Sequence, residues 1–381
     1  MLTHRGIAVA VATVLAYAAA AALHYPELGI LAAGGLTVLV LGAGWVVRRP
    51  HVRIQRFIEP ARVTRGEVAL GLLEITNPGR IAVSPTVAEE QCGPRTVAVD
   101  VPRLPPGATT RTTYRLPTDR RAVIDIGPLT VARQDPFGCW RTTQRLGTTE
   151  RLWVHPVVHP LLALPTGRTR SLDGPDRDGL PHGSITFHAL REYVPGDDLR
   201  HVHWRSSART GTLMVREHVD TSLPQVTLVV DTSSASHTDE GFEQAVEVAA
   251  SLVAVVTAAR LPLRLVTTGG ESVRGRGVGE DARAMLDLLA GVQTGEGALL
   301  TVVNHLAAER RGDVLLAVIG AAAVDELTAL GALGARYSRG VVAVVADGAD
   351  EVPVPVPPHL RVIRVATAAA FGAYWEQVGF R

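Results

Sequence analysis

Val226-Thr227-Leu228-Val229-Val230-Asp231-Thr232-Ser233-Ser234-Ala235-Ser236 decides the fold of the C-terminal half. Five strand-favouring residues run together and end on an acid and a string of hydroxyls, which predicts a strand with no solvent face. Outward from it, residues 241–260 carry apolar side chains at three-to-four spacing and predict a long helix. A strand over 262–267, a helix over 280–292, a strand over 313–319, a helix over 323–336 and a strand over 341–346 follow. Residues 361–366 and 370–378 close the pattern. Apolar strands alternating with helices predict a Rossmann-type parallel sheet with helices on both faces. No G-x-G-x-x-G follows a strand, so no dinucleotide site is expected.

Open sheets of this kind bind ligands outside the carboxyl ends of their strands, which is where Asp231 falls. Two uses of Asp231 are open. It caps the turn into the next helix, which is favoured, or it joins Ser233 and Thr294 as an oxygen ligand of a hard ion such as Mg²⁺.

Just upstream stands Arg191-Glu192-Tyr193-Val194-Pro195-Gly196-Asp197-Asp198-Leu199-Arg200-His201-Val202-His203-Trp204-Arg205-Ser206-Ser207-Ala208-Arg209. So many charges around a Pro-Gly turn suit an interaction or catalytic surface better than packing. Asp197 and Asp198 have the arginines beside them as partners, so a structural ion-pair knot is favoured over paired acid–base carboxylates. His201 and His203 alternate and would share a strand face, a weak transition-metal pattern. No G-x-S-x-G elbow or H-E-x-x-H helix occurs, and the sequence does not point to an enzyme.

The segment resembles the signature of the domain-of-unknown-function 58 family. The pattern R-E-Y-x-P-G-D-D-x-R is met at Arg191, Glu192, Tyr193, Pro195, Gly196, Asp197, Asp198 and Arg200, then Trp204, Ser207-Ala208-Arg209-Thr210-Gly211 and Leu213-Met214-Val215-Arg216. His203 stands where an Asp is more usual. Asp135-Pro136-Phe137-Gly138 and Val154-His155-Pro156 extend the likeness towards the N-terminus. The resemblance implies an adaptor or chaperone-complex subunit near the bacterial envelope, partnered with a MoxR-type AAA+ ATPase. It makes Arg191 to Arg209, with Trp204, the expected interaction segment. The strand end also resembles the von Willebrand factor A domain, whose D-x-S-x-S holds a divalent ion. Asp231, Ser233 and Thr294 match, while Ala235 replaces the second serine and Gly320 stands where an Asp is usual, so that resemblance implies a degenerate site. It leaves a Mg²⁺-dependent adhesion-type module as one alternative, and His201 with His203 leave a metal-assisted hydrolase as another.

Residues 6–23 and 29–47 are almost unbroken apolar runs, each about 27–29 Å long as a helix, close to the thickness of a bilayer core. A second run so soon after the first favours a helical hairpin over a cleaved signal peptide. Arg5 precedes the hairpin, Arg48, Arg49, Arg53 and Arg56 follow it, and the connection holds Glu27 and no arginine. This asymmetry predicts a multi-pass cell-membrane protein with both termini and the soluble domains in the cytoplasm, and with these arginines close to headgroups.

Between the hairpin and the α/β pattern, short strands over 67–76, 96–101 and 110–116 alternate with turns at Asn77-Pro78-Gly79 and Pro105-Pro106-Gly107, which predicts a β-sandwich-like domain. Asp135-Pro136-Phe137-Gly138 reads there as an Asp-Pro turn anchored by a buried Phe. The expected organisation is a hairpin over 1–50, a sandwich over 51–160, a linker over 161–190 rich in Gly, Pro, Asp and Arg, and the signature with the α/β domain over 191–381.

The net charge of +1 with 20% charged residues gives no field suited to nucleic acid. All 38 basic residues are arginines, so P-loop and Schiff-base lysine chemistry is unavailable. Cys92 and Cys139 are too few for a disulfide framework or a thiolate metal site.

Overall fold

A computed structural model describes residues 1–47, 52–162, 185–193, 202–220, 224–309, 312–321, 324–346 and 360–378. The chain divides into two compact units, Met1–Val157 with Asp287–Gly291, and Val158–Leu286 with Val292–Arg381.

The first unit opens with α1 (His4–Leu23) and α2 (Pro26–Val47), both long and apolar enough to cross a membrane. Thr3 caps α1 by accepting the Gly6 N–H, His24 ends it in the left-handed region at φ 54°, and Pro26 starts α2, where its missing N–H costs nothing. The two helices pack closely through small residues; at Gly35 a Cβ would collide with the Thr13 hydroxyl.

Nine strands follow: β1 (Arg53–Glu59), β2 (Arg62–Thr64), β3 (Leu70–Thr76), β4 (Thr86–Cys92), β5 (Arg95–Val101), β6 (Thr109–Arg115), β7 (Ala122–Gln134), β8 (Arg141–Leu146) and β9 (Glu150–His155). One sheet runs β1-β3-β6 and the other β2-β9-β7-β4-β5, with β8 beside β7. Leu73 and Ile75 of β3 join Ala88, Ile126, Leu129, Leu152 and Val154 of the second sheet in a single core. Alternate burial along β3 is what a half-solvated strand requires.

Within that core lies a charged pair. Arg56 and Glu90 meet at 2.7 Å with both side chains fully buried. Burial lifts the Glu90 carboxyl above the usual range against the pull of Arg56. The neighbouring Cys92 thiol is pushed up to about 12, chiefly by burial and also by Glu90. Arg56 is therefore not one of the headgroup-facing arginines expected from the sequence; it belongs to the β-core.

The second unit contains β10 (Ile185–Glu192), α3 (Trp204–Thr210), β11 (Met214–Asp220), β12 (Val226–Val230), α4 (Asp239–Ala258), β13 (Leu263–Thr267), β14 (Ser272–Gly275), α5 (Gly279–Gly291), α6 (Leu299–Ala308), β15 (Val314–Ile319), α7 (Val324–Gly334), β16 (Arg339–Val345), β17 (Arg361–Val365) and α8 (Ala368–Val378). β10 and β11 form an antiparallel pair, so strand begins inside the stretch expected to be linker. The main sheet runs β14-β13-β12-β15-β16-β17. It is mixed: every neighbour is parallel except β14, which returns antiparallel along β13. Only four residues separate β13 from β14, too few for the crossover that a parallel partner needs. α4 is also long and apolar, but most of it is buried within its own unit.

Candidate functional site

β12 sits where the strand order reverses, with β13 on one side and β15 on the other, so its carboxyl end opens at the switch point of the sheet. The residues there form a closed hydrogen-bond set. Asp231 is fully buried, and its Oδ1 accepts from the Ser233 N–H at 3.0 Å and the Thr268 hydroxyl at 3.1 Å. Thr268 in turn accepts the Thr232 N–H at 2.8 Å, and its backbone N–H donates to Val230 at the end of the strand. The turn is pinned from a third side by Gly295, which exchanges backbone bonds with Thr232 and Ser234 at 2.9 Å each.

His237 seals the remaining face. Its imidazole is buried, with Nε2 3.0 Å from the Asp231 carbonyl oxygen and 3.7 Å from Asp231 Oδ2, and its ring stands edge-on to Phe242. Burial pushes the His237 pKa down against the opposing field of Asp231, which favours the neutral ring. The geometry calls for an Nε2–H donor, and Nδ1 is left without a hydrogen-bond partner. At Gly320 a Cβ would run into the Ser236 carbonyl oxygen and lie 2.8 Å from His237 Nδ1, while the Ala321 N–H bonds to Ser236.

This set does not fit the less favoured use of Asp231, Ser233 and Thr294 as metal ligands. Asp231 and Ser233 do come together, but Asp231 Oδ1 already serves two donors and Ser233 Oγ accepts the Ala235 N–H at 3.3 Å. Thr294 is exposed beside Gly295. Ala235 brings no oxygen, and Gly320 has no room for a side chain that could. Among the described residues no three His, Cys, Asp or Glu side chains gather as metal ligands. Asp231 holds the strand-end turn through the Ser233 N–H and does not cap the next helix: α4 is capped by Thr238, whose hydroxyl accepts the Gly241 N–H.

In the signature segment, Arg191 and Glu192 lie on β10 opposite Val215 and Met214, and the Tyr193 N–H donates to Leu213. Pro195, Gly196, Asp197, Asp198, Arg200 and His201 lie outside the described residues. His203 is not on a strand face: it caps α3, its Nδ1 taking the Ser206 N–H at 3.3 Å and pairing with the Ser206 hydroxyl at 2.7 Å. That role engages Nδ1. α3 ends on Gly211 at φ 77°, and Ser207 Oγ accepts the Met214 N–H at 2.8 Å, which ties the helix to β11. Trp204 stands 66% exposed, with Arg205 and Arg209 exposed beside it.

Thr268, His237 and Gly295 were not anticipated from the sequence. Each comes from a different loop, and only His237, six residues after Asp231, is near enough to have been suspected.

No curated protein matches the chain. Among solved structures, the sporulation control protein Spo0M from Bacillus subtilis is 14% identical, with a TM-score of 0.20 over 27% of this chain and 49% of that one. The alkylpurine DNA glycosylase AlkC of Pseudomonas fluorescens, bound to DNA containing an abasic site analog, is 16% identical with a TM-score of 0.22 over 35% and 40%. Cwp6 from Clostridium difficile is 7% identical with a TM-score of 0.19 over 86% and 52%. The chain thus spans about half the length or less of these proteins. The protein-family comparison is specific, matching "Protein of unknown function DUF58" over residues 189–351, which take in β11, Asp231 and the whole strand-end site. Over those residues the chain is similar to the DUF58 family.

Proposed function

We propose that this protein is a membrane-anchored, non-catalytic binding subunit. Its α/β unit is a von Willebrand A-like module whose metal position has been replaced by internal hydrogen bonds. Its partner is a MoxR-type AAA+ ATPase, as the family resemblance implies. The observation that carries the reading is Trp204, a large aromatic held in solvent on a short capped helix within the family signature, next to exposed Arg205 and Arg209. Trp and Arg are the side chains that most often dominate protein interfaces, and a pair of arginines suits an acidic partner face. The closed set around Asp231 supports a binding role without a cation.

The test is capture of the full chain from native membranes, beside Trp204→Ala. A MoxR-type ATPase enriched by the native chain and lost with Trp204→Ala, at an unchanged melting temperature, is the expected result. Capture of no ATPase by the native chain defeats the proposal.

The two N-terminal helices serve as the anchor, and the arginine asymmetry supports a cytoplasmic placement for everything after Val47. Cys92 and Cys139 are both buried and would escape thiol reagents on either side, so the topology needs introduced cysteines. Glu27→Cys should react with an impermeant reagent in intact cells while Arg120→Cys should not. The reverse pattern refutes the orientation.

A further inference from the structure

The turn after β7 departs from its sequence reading in a way that bears on the membrane. Phe137, expected to be buried, is 50% exposed, and the turn around it packs against both apolar helices. The Trp140 indole N–H donates to the Leu39 carbonyl of α2 at 3.0 Å. A Cβ at Gly42 would come within 2.9 Å of Trp140 and 3.0 Å of Asp135 Oδ2. From α1, the Thr3 N–H donates to the Cys139 carbonyl at 2.9 Å, its hydroxyl donates to the Gly138 carbonyl at 2.5 Å, and Gly6 has no room for a Cβ against Cys139.

Depth decides what this means. Leu39 lies about 12 Å along the axis from the helix end at Val47. A turn kept wholly in water would place the membrane boundary below Leu39. Residues 26–38 of α2 would then span only about 20 Å, against a hydrocarbon core of about 30 Å. The packing of Thr13 against Gly35 holds α1 to the same limit. The helices cross only if the turn enters with them.

Its chemistry suits that place. Backbone outside a helix survives in lipid only where its polar groups are paired. The Asp135 carboxylate accepts the Phe137 N–H at 3.1 Å and the Trp140 N–H at 2.5 Å, and the Gly138 and Cys139 carbonyls are filled by Thr3. Around the turn stand Trp45, 46% exposed with the Arg133 guanidinium 5.3 Å over its ring, and the Arg5 side chain beside Gly138. Aromatic rings with arginines at one level are the composition of a membrane interface.

We propose that Asp135 to Trp140 form a wedge of the β-unit that enters the leaflet at the end of the hairpin nearest Val47, with Phe137 at its tip among the acyl chains. The wedge rests on the reading that α1 and α2 span the bilayer, and its occupant is the lipid of that same membrane.

The full chain, reconstituted in phosphatidylcholine–phosphatidylglycerol vesicles, carries an environment-sensitive fluorophore at Phe137→Cys, Val14→Cys or Arg120→Cys in turn. Val14 is exposed on α1, and Arg120 lies in the loop before β7, at the opposite end of that strand from the turn. Lipids bearing a nitroxide on the acyl chain should dim the labels at 137 and 14 by about twofold or more and leave that at 120 nearly unchanged. Quenching at 14 with none at 137 overturns the wedge alone. Quenching at neither position overturns the membrane reading and the wedge with it.

Discussion

Two turns in this protein are built on the same device and face different surroundings. Asp135 and Asp231 are both buried, each follows a strand, and each carboxylate takes the backbone N–H two residues ahead, of Phe137 at 3.1 Å and of Ser233 at 3.0 Å. At Asp135 the other oxygen closes the turn on itself through the Trp140 N–H, and the tip presents a phenyl ring. At Asp231 the carboxylate reaches across to Thr268 on the neighbouring strand end, a buried imidazole covers it, and the tip presents hydroxyls. An Asp at a strand end with small or turn-forming residues after it therefore specifies a shape. The residue two places on, and whatever packs over the acid, decide what the shape is for.

The upper bound on both turns is set by a buried acid with a charge as its partner. Arg56→Met leaves Glu90 without its cation, and we expect a loss of about 3–5 kcal/mol by chemical denaturation. Because the folded Glu90 pKa is raised, its contribution is full below the ordinary glutamate pKa and falls as pH rises through the raised value; the variant should lose stability more steeply over that window. A variant within about 0.5 kcal/mol of native would mean that the pair is not desolvated as described.

Asp231→Ala comes next. It strips the acceptor from the buried Thr268 hydroxyl and the part-buried Ser233 N–H, and roughly 2–3 kcal/mol should be lost. Asp135→Ala removes two backbone bonds at a part-buried turn, and about 1–2 kcal/mol is expected. The comparison breaks if the order of these two is reversed.

The smallest effect is read as a slope. The His237 pKa lies below its unfolded value, so protons favour the unfolded chain as pH falls through the ordinary histidine range, and stability present above that range is lost. From about pH 7.5 to about pH 5.5, the native melting temperature should fall further than that of His237→Asn. Equal slopes would show that the imidazole is not the lid on Asp231.

Much of the α/β unit was legible because its strands are apolar throughout. Val226–Val230 and Val314–Ile319 have every residue buried, and a run of that kind has few alternatives. β14 was missed because Ser272, Val273, Arg274 and Gly275 form a short edge with nothing to mark them except the partner they lie against. α6 was missed beside the glycines of residues 291–297, which mask the start of its apolar spacing. At the site, Asp231 and Ser233 could be named in advance since they are consecutive with the strand. Thr268 and Gly295 could not, because only the crossing of the chain brings them there. Phe137 failed for a related reason: a sequence shows that a residue is apolar, and not whether protein or lipid surrounds it.

The packing of Gly42 against Asp135 and Trp140 also sets an order in time. At about 5–20 residues per second, a ribosome needs roughly 5–20 s to pass from one side of that contact to the other. For that interval the hairpin exists without the turn that will fill its glycine face. The face must remain open to a chain segment not yet made, so the helices cannot use it to bind one another's copies permanently while they wait.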